Sequence, residues 1–76
     1  MGNFRMKTGK ETIYYDNGNI KHAGSFKNGE MHGVWKFYRR DGSVMRVGKM
    51  SEGNQIGIWT TYDRRGAVVK ETNFGN

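Results

Sequence analysis

The side chains able to do chemistry are few and scattered. His22 and His32 are the only imidazoles, and neither sits in an H-E-x-x-H or comparable metal-binding spacing. There is no cysteine, which excludes disulfides and thiolate metal sites. The seven carboxylates are Glu11, Asp16, Glu30, Asp41, Glu52, Asp63 and Glu71. Several fall in turns, where aspartate has a structural task of its own, and no pair is marked out for acid–base work. Ser25, Ser43 and Ser51 lack a nucleophile-elbow context. No G-x-x-x-x-G-K-[ST] phosphate loop occurs. These residues predict a protein that is not an enzyme, with no metal, no cofactor and no small-molecule substrate.

Two other constellations point to binding. The first is aromatic: Tyr14, Tyr15, Trp35, Phe37, Tyr38, Trp59 and Tyr62. Tyrosine and tryptophan are favoured anchors of protein interfaces, so Trp35, Trp59, Tyr38, Tyr62, Phe37 and Tyr14 are the expected contact residues. Cross-strand packing is the plainer role for such rings. The second is basic: Arg39-Arg40 and Arg64-Arg65. Four guanidiniums gathered at one edge suit bidentate recognition of phosphate. Asp41 and Asp63 stand close enough in sequence to neutralise part of that charge.

The elements that must position these groups follow from a 24-residue period. Tyr14, Tyr38 and Tyr62 are spaced by it, as are Gly18, Gly42 and Gly66, and Phe26, Met50 and Phe74. Trp35 matches Trp59, Gly29 matches Gly53, and Gly33 matches Gly57. A fixed period in this range marks a repeat architecture. Within a unit, Val34–Arg39 has strand composition, Asp41-Gly42 is a hairpin signal, and Ser43–Met50 reads as the returning strand. Asp16-Asn17-Gly18 and Arg64-Arg65-Gly66 take the same place. Gly18, Gly29, Gly33, Gly42, Gly53, Gly57 and Gly66 are the expected turn glycines.

Six strands are predicted, near 10–15, 19–26, 34–39, 43–50, 58–63 and 67–74. Looser connections join the units through Lys27–Gly33 and Ser51–Gly57, the first placing His32 in a loop. The fold class is all-β, an antiparallel meander of 24-residue hairpin repeats in one twisted layer. Residues 1–8 read as an extension or partial repeat, and 9–76 as the repeat domain. A domain normally packs two layers about a core, so the single layer is expected to be completed by dimerisation or curling. The face each side chain takes depends on the turn. A two-residue loop sets Trp35 opposite Gly48 and puts Trp35, Phe37, Val44 and Met50 on one side. A three-residue loop with a glycine bulge groups Trp35 with Met45 and Val47, and Tyr38 with Val44, instead. The recurrence of Trp, Val and Met/Phe favours the first, with Gly24 and Gly48 making room for a ring.

The chain has 76 residues and a net charge of +6. That charge suits solubility and also an acidic partner. No apolar run reaches the roughly 18 residues of a membrane span. Met1-Gly2 is not a myristoylation start, because Met6 stands where serine or threonine is required. A soluble, cytoplasmic protein is the expectation.

Gly33-Val34-Trp35-Lys36-Phe37-Tyr38, then Asp41-Gly42, then Gly53 through Trp59, resemble the MORN repeat, most closely its variant with G-x-W-x-x-Y and a following N-G or D-G turn. Gly57–Tyr62 with Arg65-Gly66 fits a second copy, and the first copy is degenerate because Glu11 replaces the tryptophan. The resemblance implies stacked β-hairpins without catalysis, acting as an interaction or membrane-associating module, and in bacterial proteins of the variant type an antitoxin-like component. The expected function is a non-catalytic module for protein–protein interaction or self-assembly, most simply a homodimer. The alternative is binding of nucleic acid or an anionic lipid surface through Arg39, Arg40, Arg64 and Arg65.

Overall fold

The structure, a computed structural model, describes residues 6–76. Most of the predicted extension, residues 1–5 with Met1-Gly2, lies outside the described residues. Six strands follow one another: β1 Gly9–Tyr14, β2 Ile20–Lys27, β3 Glu30–Tyr38, β4 Val44–Ser51, β5 Asn54–Tyr62 and β6 Val68–Asn73. They pair in sequence order into one antiparallel sheet that does not close, and the described residues contain no helix. The sheet measures 50 × 35 × 13 Å, the thickness of one layer.

Two kinds of turn alternate. At the β3–β4 tip the Gly42 N–H donates to the Arg39 carbonyl at 2.9 Å, and the Arg39 N–H donates to that of Ser43 at 2.8 Å. Gly42 has φ 95°, which makes a three-residue loop closed by a glycine bulge. Tyr15–Asn19 and Asp63–Ala67 repeat both bonds. At the β2–β3 turn Lys27 pairs with Glu30, leaving Asn28 (φ 52°) and Gly29 (φ 83°) as a two-residue turn. Positive φ at both positions is the primed geometry that matches strand twist. Glu52-Gly53 does the same between β4 and β5. The segments expected to be loose are therefore the tightest turns, β3 and β5 begin four residues earlier than the sequence suggests, and His32 lies in β3.

The register combines the two alternatives. Trp35 pairs with Gly48 and Phe37 with Arg46, but Tyr38 pairs with Val44, so Met45 is bulged out. One extra residue reverses the pleat. Trp35, Phe37 and Met50 share a face as expected, while Val44 moves to the opposite face with Tyr38.

The sheet makes its own core on the tryptophan side. Trp35 is 0% exposed and Trp59 4%. Each indole leans back across the preceding strand and occupies the space a side chain would take at Gly24 or Gly48. Its Nε1–H donates to the carbonyl of the next residue there, Ser25 for Trp35 and Lys49 for Trp59, both at 3.0 Å. The row reads Phe26–Trp35–Met50–Trp59–Phe74, with edge-on ring contacts at both ends. Phe37 lies between the two indoles at 6.2 and 6.0 Å, and the Arg46 guanidinium covers Phe37 and Trp59. Burying one indole, about 200 Å², stabilises by about 5 kcal/mol at the usual coefficient. Cover from a second molecule or from curling, expected for this face, is not what buries the tryptophans.

Candidate interaction face

Trp35 and Trp59 are sealed inside the chain and offer no contact surface. Phe37 is half-buried beside them. Tyr38 and Tyr62 are half-buried and pair with Val44 and Val68 on the opposite face. Tyr14 is exposed at the β1 edge. The six expected contact residues are thus split between the two sides of the sheet.

The opposite face is the open one. Pleat alternation brings Val34, Lys36 and Tyr38 of β3 beside Lys49, Val47 and Val44 of β4, and continues into Thr60 and Tyr62 of β5. Val34 is 53% exposed and Ile58 57%. Sequence reasoning passed over both. Each immediately precedes a tryptophan, and a period of two puts such neighbours on opposite sides.

The hairpin tips are laced to one another. The Tyr15 hydroxyl donates to the Tyr38 carbonyl at 2.8 Å. One unit later Arg39 Nη2 donates to the Tyr62 carbonyl, and its Nη1 to that of Val44 at 3.0 Å. Arg40 pairs with Asp16, and Arg64 Nε lies 3.3 Å from Asp41 Oδ2. Hydrogen bonds from the Ser43 hydroxyl (2.7 Å) and backbone N–H (2.9 Å) hold the Asp41 carboxyl below the usual carboxylate range, with the charges of Arg64 and Arg39 adding to the effect. Three of the four arginines expected to bind anions are therefore engaged within the chain. Among the described residues the Arg65 side chain has no ion pair or hydrogen bond.

Where the open face meets the tips, a groove of about 670 Å³ runs between the second and third hairpins. Val44, Val47 and Tyr62 form its apolar lining, and Lys36, Arg64 and Arg65 bring cations to it beside the Asp63 carboxylate, which accepts the N–H groups of Arg65 and Ala67. Among the described residues no three His, Asp or Glu side chains gather to hold a metal, and no helix is long and apolar enough to cross a membrane.

The fold and this face define a β-hairpin repeat protein. Residues 7–28 match the family model described as a MORN repeat variant. That span carries the MORN repeat variant, and shifting it by the 24-residue period gives 31–52 and 55–76. The match falls on the unit that sequence reasoning took as degenerate, the one with Glu11 in place of tryptophan, so that unit carries the repeat without its indole. No curated protein and no solved structure matches the chain.

Proposed function

We propose that this chain is a non-catalytic binding module that takes a partner protein on the face carrying Val34, Val47, Ile58 and Tyr62. The observation behind it is the asymmetry of the sheet: one side is sealed by its own indoles, while Val34 and Ile58 stay more than half exposed on the other. Within the 50 × 35 Å outline, the paired strands alone, six of about eight residues, give that side about 750 Å². A standard protein interface uses about 800 Å² per partner. Lys10, Lys36 and Lys49 share this side with Glu71 and outnumber it. Stacking two copies through it sets those lysines against one another, so an acidic partner fits better than a second copy. Binding of nucleic acid or anionic lipid at the tips has less support, because Arg39, Arg40 and Arg64 are already engaged. The antitoxin-like role is a finer form of the same reading, for which an adjacent toxin gene is the expected companion.

Site-specific photo-crosslinking in native cells tests the face. A probe at Ile58 is expected to give one discrete heterologous adduct, and a probe at Thr61, on the tryptophan side, none. The same adducts from both sites, none from Ile58, or a product of twice the chain's mass would overturn the reading.

A further inference from the structure

The repeat supplies its own control for the groove between the second and third hairpins. Equivalent positions one unit apart have the same place in the fold, so a residue that breaks the period there is not required by the hairpin. Lys36 stands where the other units carry Thr12 and Thr60. Arg65 stands where they carry Asn17 and Asp41. Asn17 donates through Nδ2 to the Arg40 carbonyl of the next tip at 2.9 Å, and Asp41 receives Ser43 and Arg64. Arg65 has neither role. Among the described residues, the side chains of Lys36 and Arg65 make no ion pair or hydrogen bond. Both line the same groove, together with Val44, Val47 and Tyr62.

We infer that this groove is a docking site for an extended acidic segment of the partner protein, with carboxylates on Lys36 and Arg65 and an aliphatic side chain between them on Val44, Val47 and Tyr62. The inference rests on the partner-protein reading and specifies its chemistry. Lys36 lies two strands from β5, in the row through Val47 and Thr60, and Arg65 lies in the turn beyond Tyr62. Strand spacing and rise put their Cα atoms roughly 15 Å apart, the reach of four or five extended residues. Charge complementarity selects the sign of the segment. The apolar lining selects a peptide over a bare anion or a nucleic-acid backbone, which would leave Val44 and Val47 facing water. Arg64, held by Asp41, also lines the groove.

The test is fluorescence anisotropy of a short labelled peptide alternating glutamate and valine, titrated with the full chain at about 50 mM salt, where surface charges are weakly screened. The double variant Lys36→Thr with Arg65→Asn restores residues the repeat itself uses at these positions, so the hairpins keep compatible side chains; circular dichroism checks the fold. Saturable binding to the wild type, weakened about tenfold in this variant, is expected. The control Lys21→Thr with Lys70→Thr removes the same charge away from the groove lining and is expected to bind as the wild type does. Equal loss in both variants, or no saturable binding, overturns the groove. Equal affinity for a scrambled peptide with its valines replaced by serine, or for a DNA oligonucleotide of matched charge, overturns the peptide as its occupant. If the Ile58 crosslink succeeds while peptide affinity ignores Lys36 and Arg65, the groove fails and the face stands. If the crosslink fails as well, the broader reading fails with it.

Discussion

Gly48 has no side chain because Trp59 occupies its place, and the energetics of the core turn on that exchange. An added methyl overlaps the indole, while the backbone there does not need positive φ. The seat is thus a matter of space, unlike Gly42, whose φ of 95° is conformational. Gly48→Ala is expected to destabilise by about 1–3 kcal/mol through overpacking. A lower urea midpoint with red-shifted tryptophan emission checks it; an unchanged midpoint would show that the ring moves aside at no cost. Asp41 illustrates a different single-residue effect. Its folded pKa is lowered chiefly by Ser43, so its contribution is complete above the unfolded carboxylate range and is lost as pH falls through the folded value. Carboxyl NMR should place its midpoint below that of free aspartate, and Ser43→Ala should raise it. No upward movement in the variant would leave Ser43 without the role assigned to it.

At the scale of elements, two turn grammars alternate, and the sequence spelled both. Asp41-Gly42 looked like a two-residue hairpin, yet Gly42 closes a three-residue loop. Asn28-Gly29 carried the stronger two-residue signal but sat among polar residues that read as a loose connection. Strand number, order and the Trp35–Gly48 pairing were legible because the period and the ring-for-glycine exchange both depend on residue type. The bulge at Met45 was not, since nothing in its side chain requires it. That one residue hid which side Val44 takes. Identification of the open face failed for a related reason: aromatic residues were weighed as anchors before their burial by neighbouring strands was considered. The turns also give a stability prediction. Glu52 holds φ 51° at the position where the preceding unit has Asn28, and asparagine tolerates that region better than glutamate. Glu52→Asn is expected to stabilise by about 0.5–1 kcal/mol, a few degrees in Tm. A lower Tm would mean that Glu52 makes a compensating contact.

For the whole molecule, each strand packs mainly on its sequence neighbours, so stability approximates a sum of unit and neighbour contributions. Those neighbour contributions run in both directions. Trp35 leans back onto Gly24 and Trp59 onto Gly48, and at the tips Tyr15 and Arg39 reach forward to Tyr38 and Tyr62. In the third unit both devices change. The seat position carries Thr72, and the reaching position carries Asp63, which turns back to accept the N–H groups of Arg65 and Ala67 at 2.8 and 3.0 Å. A second copy of residues 53–76 joined after Asn76 keeps the 24-residue period and brings an indole over Thr72. In that extended chain Thr72→Gly is expected to stabilise by about 1–3 kcal/mol, by admitting the ring that threonine blocks. In the 76-residue chain the same substitution is expected to destabilise by about 0.5–1 kcal/mol, because glycine weakens a strand and no indole is gained. Comparing both substitutions in a double-mutant format isolates the coupling between seat and ring. An effect of the same sign in both chains would show that glycine at this position serves something other than the tryptophan of the following hairpin.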